Sequence, residues 1–299
     1  MNWIFDSIIA TFGGAIYTSF LKLSQSSYDA TSVVSFVLFL SFIYYYITGG
    51  YYNLVKNFEI WGFLSGITFG LVTYFFNKAL SLVNNPGIPS SIVRSQVVLT
   101  FFISLFLFNE KFSWKKFAPI LVIIGGCLIT VYPNLKSFDA KNMEWIYLTI
   151  IAGICTTGND ITSKLSLNKI SNKQFLVLQM FAASLTNIVL QYFNKKTVGL
   201  QKLSKDKKKK SSKIHLFNKY PQLLLAIILS SLIVFRTYLG SAMKSSKNPA
   251  YPRAIFNSQF LVSLLLSLVI QKDTDITKAQ GFGSAVILLG VILTTIFGG

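Results

Sequence analysis

An apolar run long enough to cross a bilayer recurs ten times in this chain, at 3–21, 31–48, 58–80, 89–108, 114–132, 145–164, 172–193, 220–242, 252–270 and 278–297. A spanning helix needs about 20 apolar residues. In lipid every backbone N–H and C=O must be bonded inside the spanning structure, which a helix achieves within one segment. The expected fold is therefore an all-α membrane protein with ten transmembrane helices, whose spans take up about two-thirds of the 299 residues. No lysine or arginine precedes the first run, which is also longer than a secretory apolar core, so it reads as a spanning helix and not as a signal peptide.

Charge and cysteine usage exclude several functions. Only 13% of residues are charged, against about 25% in soluble domains, although the net charge is +18. A soluble nucleic-acid binder is excluded by that composition. Cys127 and Cys155 both sit in apolar runs, with neither a disulfide framework nor zinc-ligand spacing. The single histidine, His215, lies among lysines, so a Ser-His-Asp triad or a two-histidine metal site has no basis. Neither GxGxxG nor GxxxxGK[ST] occurs in a nucleotide-binding context. The expectation is a protein that is not an enzyme and uses no metal or prosthetic group.

An internal repeat organises the chain. Asn85-Pro86-Gly87-Ile88-Pro89 matches Asn248-Pro249-Ala250-Tyr251-Pro252 at an offset of 163, which also aligns Ile92 with Ile255, Ser95-Gln96 with Ser258-Gln259, and Ser104-Leu105 with Ser267-Leu268. Lys22-Leu23-Ser24 matches Lys164-Leu165-Ser166 at 142, so the second unit carries 163 − 142 = 21 additional residues before its fourth span. Residues 1–136 and 137–299 thus form two five-helix units, with a lysine-rich insertion at 194–219. Five is odd, so the units insert with opposite orientation. Inverted repeats are a common architecture of secondary transporters, with the substrate site near the midplane between halves. Gly62, Gly66 and Gly70 form a small-residue face for close helix packing.

Each unit ends distinctively. Asn109-Glu110-Lys111-Phe112-Ser113 precedes an apolar run with Gly125-Gly126, and Lys278-Ala279-Gln280-Gly281 precedes one with Gly290-Val291. On these stretches the chain resembles the drug/metabolite transporter superfamily in its ten-helix, EamA-like form. Asp273 stands where that family more often has Glu in the second unit, and Gly13-Gly14-Ala15 replaces its Trp-Gly signature. The resemblance implies an alternating-access carrier of small organic metabolites.

Polar groups inside the runs are the candidate site. Of 28 basic residues only Arg94, Arg236 and Arg253 are arginines, and all three fall in or at the start of spans. A guanidinium offers a rigid fork of donors suited to carboxylate or phosphate. Arg236 lies about 24 Å into its helix, deep in a core of about 30 Å. Arg94 is shallower, and Arg253, beside Pro252, is placed to snorkel to the interface. Asp160 is the acid deepest in a span; at a depth similar to Arg236, it is either an ion-pair partner or a proton site. Ser95, Gln96, Ser258 and Gln259 offer hydrogen bonds from two related directions, or bonds between helices. Asn159, with Asn77 and Asn187, extends the polar lining, and Lys78 adds positive charge at one mouth.

The expected function is secondary transport of a small organic, anionic or carboxylate-bearing metabolite by alternating access. The alternatives are a proton-coupled exporter of amino acids or drug-like metabolites, and a non-transporting membrane scaffold or receptor. The 194–219 loop, with ten lysines and one aspartate, is either solvated disorder or a site for anionic lipid head groups. No nucleic-acid partner is expected.

Overall fold

The computed structural model describes residues 2–24, 30–49, 58–82, 87–135, 144–198, 221–259, 261–263, 266 and 278–297. Asp273 and positions 199–219 of the lysine-rich loop lie outside them. Within the described residues the chain is all-helical. The helices are α1 (Trp3–Ser24), α2 (Ala30–Thr48), α3 (Ile60–Ser81), α4 (Gly87–Ser95), α5 (Val97–Leu107), α6 (Trp114–Leu135), α7 (Glu144–Leu167), α8 (Asn172–Val198), α9 (Pro221–Ser245), α10 (Ala250–Asn257) and α11 (Lys278–Phe297).

Among the described residues, five helices are long and apolar enough to cross a membrane: α1, α2, α3, α8 and α9. Asn159, Asp160 and Lys164 lower the hydropathy of α7. Large apolar side chains point outward, including Phe12, Phe106, Ile154, Phe193 and Ile296, a surface suited to lipid. Local chemistry sets several helix starts. Glu59 caps α3 by accepting from the Gly62 N–H at 2.7 Å, and Pro221 opens α9, where its missing N–H costs nothing. Past its expected end at 193, α8 continues to Val198 through Lys195 and Lys196, both good helix formers.

The expected fourth span, 89–108, is two helices. Its apolar run is interrupted at Gln96, whose N–H bonds the Val93 carbonyl at 3.3 Å in an i→i+3 turn. Likewise α10 ends at Asn257, where the Ser258 N–H bonds the Ile255 carbonyl at 2.9 Å.

Packing is reciprocal. A Cβ on Gly126 of α6 would lie 2.8 Å from both the Gly283 carbonyl oxygen and the Ile287 nitrogen of α11. One on Gly290 would lie 2.8 Å from the Ile123 nitrogen and 3.1 Å from the Pro119 carbonyl oxygen of α6. The two helices therefore run antiparallel in backbone contact. Ser35 meeting Gln191 and Phe42 meeting Phe181 make α2 and α8 antiparallel as well. In the same way α3 packs on α7, and α1 on α9. The Gly62, Gly66 and Gly70 face receives α8, a Cβ on Gly70 falling 3.1 Å from the Ala183 carbonyl oxygen. One apolar core joins α1, α2, α8 and α9 through residues such as Leu38, Leu178 and Leu232. A second, around Phe101, Ile123, Tyr251 and Ile287, joins α5, α6, α10 and α11.

Candidate functional site

Between these cores lies a cavity of about 120 Å³, walled by α1, α3, α4, α7, α9 and α10 together with Gln96 and Gln259. Arg94, Arg236 and Arg253 all line it, each buried.

Arg253, which lines the cavity, forms an ion pair with Asp160. Asp160 is 0% exposed and Arg253 5%; the Arg253 Nε donates to both carboxylate oxygens at 2.9 and 2.8 Å, and an Nη2 bond adds to them. Gln96 Nε2 approaches Asp160 at 3.4 Å, while its Oε1 accepts from the Thr100 and Thr157 hydroxyls at 2.7 and 3.0 Å. Two expectations change here. Arg253 does not snorkel, because α10 starts inside the bundle with Ala250 and Tyr251 already buried. Asp160 takes Arg253, and not Arg236, as its partner.

Arg236 is held by neutral groups. Its Nη2 donates to Gln179 Oε1, and its guanidinium lies 4.2 Å from the Phe69 ring centroid and 5.3 Å from that of Phe235, both favourable placements for a cation. Phe235 in turn stacks on Phe256 at 4.7 Å and 11°. Gln179 Nε2 donates to Ser65 Oγ at 2.6 Å. Asn159 Nδ2 donates to the Ser65 carbonyl at 2.8 Å and to its Oγ at 3.0 Å. The network leaves Arg236 Nε buried with no acceptor among the described residues, and Tyr17 OH, Asn77 Oδ1 and Gln259 Oε1 around the same cavity also have no hydrogen-bond partner there. A ligand that both accepts and donates hydrogen bonds fits this lining.

Of the residues singled out from sequence, Asn77, Arg94, Gln96, Asn159, Arg236, Arg253 and Gln259 line the same cavity, and Asp160 is bonded to Arg253 behind that lining. Ser95 and Ser258 lie off the wall, bonding the Ile92 and Ile255 carbonyls of their own helices at 2.7 and 2.6 Å. Lys78 is also off it, paired with Glu144 at 3.1 Å and half-exposed. Tyr17, Gln179 and Asn257 were not singled out. Asn257 was within reach, because the repeat that aligns Ser95-Gln96 with Ser258-Gln259 places it opposite Arg94; its Nδ2 donates to the Arg94 carbonyl at 3.1 Å. Among the described residues no three His, Cys, Asp or Glu side chains gather as a metal site.

Among the described residues the protein is thus all-helical, with five helices long and apolar enough to cross a membrane, and holds a buried arginine-lined cavity. No protein-family model and no curated protein matches it. Among solved structures it is similar to one described as the crystal structure of a protein, with a TM-score of 0.65 and 15% identity, over 98% of this chain and 96% of the other. That likeness establishes fold alone.

Proposed function

We propose that the protein is a ten-span secondary transporter built from two inverted five-helix units, moving a small organic anion past Arg236 by alternating access. Reciprocal packing supports the inverted repeat. Gly126, Ile123 and Pro119 map onto Gly290, Ile287 and Gly283 at one offset of 164, and the contacts Gly126–Ile287 and Gly290–Ile123 are mirror copies. Such a self-complementary patch is the mark of a two-fold relation. Helices in corresponding places, α2 with α8 and α6 with α11, pack antiparallel, as inverted units require. The breaks at Gln96 and at Ser258 fall within one residue of each other at the offset of 163, and discontinuous helices at the repeat interface form the sites of many secondary transporters.

The observation that carries the substrate reading is Arg236: a buried guanidinium facing a cavity, stacked on Phe69, with an Nε unbonded among the described residues and a neutral hydrogen-bond partner. A cation is costly inside a bundle unless something answers its charge, and an anionic cargo does so. In this reading Asp160 and Arg253 are a standing structural pair.

Untargeted comparison of metabolites in cells with and without the protein supplies candidate cargo, and uptake by proteoliposomes then measures it. Losing a charge-assisted bond of about 1.5–3 kcal/mol predicts that Arg236→Gln weakens apparent affinity for an anionic cargo about 10- to 150-fold, with Arg236→Lys intermediate. An unchanged affinity removes Arg236 from the site and overturns the reading.

A further inference from the structure

The two units carry matching lysines at opposite mouths. Lys22, near the end of α1, donates to the carbonyl of Leu80 near the end of α3 at 3.3 Å. Lys164, near the end of α7, donates to the carbonyl of Met243 near the end of α9 at 2.9 Å. The offset of 142 carries Lys22 onto Lys164, and the offset of 163 carries Leu80 onto Met243. One bond therefore occurs twice, each time tying the first helix of a unit to its third. A second matched pair behaves alike: Thr18 meets Ser263 at 3.4 Å, and their counterparts Asp160 and Thr100 meet at 3.5 Å.

The two copies are set differently. Lys164 is 5% exposed and also donates to the Lys244 and Ser246 carbonyls, at 3.2 and 2.5 Å. All three donors of the ammonium are thus used on the end of α9, where unpaired carbonyls and the helix dipole attract a cation. Lys22 is partly exposed and holds a single carbonyl among the described residues. The cavity follows the same asymmetry. Its wall runs along α1 from Gly14 to Leu21 and along α3 from Phe69 to Leu80, reaching the Lys22 bond. On α7 and α9 it stops at Asn159 and Arg236, short of Lys164.

From this we infer that Lys22 and Lys164 are alternating latches: Lys164 holds one mouth shut, Lys22 is the loosened copy at the other, and access to Arg236 switches sides when they exchange settings. The inference rests on the transporter reading, but it is tested without any substrate.

The test uses the full chain in nanodiscs, open to reagent from both faces, with Cys127 and Cys155 replaced by serine. A single cysteine is placed at Phe76, on the Lys22 side of the cavity, or at its counterpart Leu239, 1% exposed. A membrane-impermeant thiol reagent reads the rates. Phe76→Cys labels fast and Leu239→Cys slowly. Adding Lys164→Met raises the Leu239→Cys rate about tenfold, a population shift of about 1.4 kcal/mol, and lowers the Phe76→Cys rate; Lys164→Arg, which keeps the donors, restores the original pattern. Lys22→Met, which removes one bond at a partly exposed site and is expected to fold, leaves Leu239→Cys shielded and raises Phe76→Cys labelling. If Lys164→Met leaves Leu239→Cys shielded, or speeds both sites equally, the latch is overturned; should that variant not fold, a rise in Leu239→Cys labelling with Lys22→Met overturns it instead. Unchanged labelling with transport intact isolates failure of the latch, whereas exchange of labelling with no cargo moved isolates failure of the transporter reading.

Discussion

Asp160→Asn and Arg253→Met, made singly and together, measure what the buried pair contributes. Neither side chain has solvent to fall back on: Asp160 is 0% exposed and Arg253 5%. Removing one partner of such a pair costs about 3–5 kcal/mol, because the remaining charge stays buried without compensation. Asparagine keeps one acceptor oxygen for Arg253, so Asp160→Asn falls near the lower value. Arg253→Met leaves the carboxylate, among the described residues, with the long contacts to Gln96 and Thr100 at 3.4 and 3.5 Å, and falls near the upper. The double variant removes both charges, so its loss is smaller than the sum by about 2–3 kcal/mol. Unfolding in mixed micelles titrated with SDS gives the four free energies. Single losses below about 1 kcal/mol, or an additive cycle, refute the claim that the two residues form one tightly coupled buried unit.

Two further outcomes test the packing and the periphery. Gly126→Ala and Gly290→Ala each push a methyl into backbone atoms of the facing helix and lose about 1–3 kcal/mol in the same titration; Gly125→Ala, which meets nothing within 4 Å, is neutral or gains up to about 1 kcal/mol from helix propensity. Lys78→Ala breaks only the half-exposed pair with Glu144 and changes stability by less than about 1 kcal/mol, with equal stability losses for Lys78 and Arg253 variants as the contrary result.

The expected span at 252–270 lies largely outside the described residues; within them the helices were legible from their apolar runs, because burial in lipid or in a bundle demands one composition along the whole run. Backbone continuity was not. Gln96 divides a polar-rich first stretch, with Ser90, Ser91, Arg94 and Ser95, from a strongly apolar second one, and its side chain is taken up by Thr157 and Asp160 of α7. Depth arithmetic brought out Arg236 and Asp160 as buried charges but misassigned the partner, because depth fixes height along a helix and says nothing about which neighbour lies across the gap. Arg253 was hidden by its position next to Pro252: a helix start normally lies at the membrane surface, whereas α10 starts within the protein. Gln179 is one amide in an otherwise apolar stretch, and only the packing of α8 against α3 and α9 brings it to Arg236.

The turn at Gln96 bears on how a buried backbone stays paired. Interrupting a helix in lipid strands polar backbone groups unless neighbours take them. Here the Gln96 carbonyl accepts the Thr100 N–H at 3.0 Å and is approached by the Thr157 hydroxyl at 3.5 Å. With those groups met, the turn between α4 and α5 leaves neither backbone group of the buried Gln96 without a partner. The Asn257–Arg94 bond joins the last turn of α4 directly to the last residue of α10.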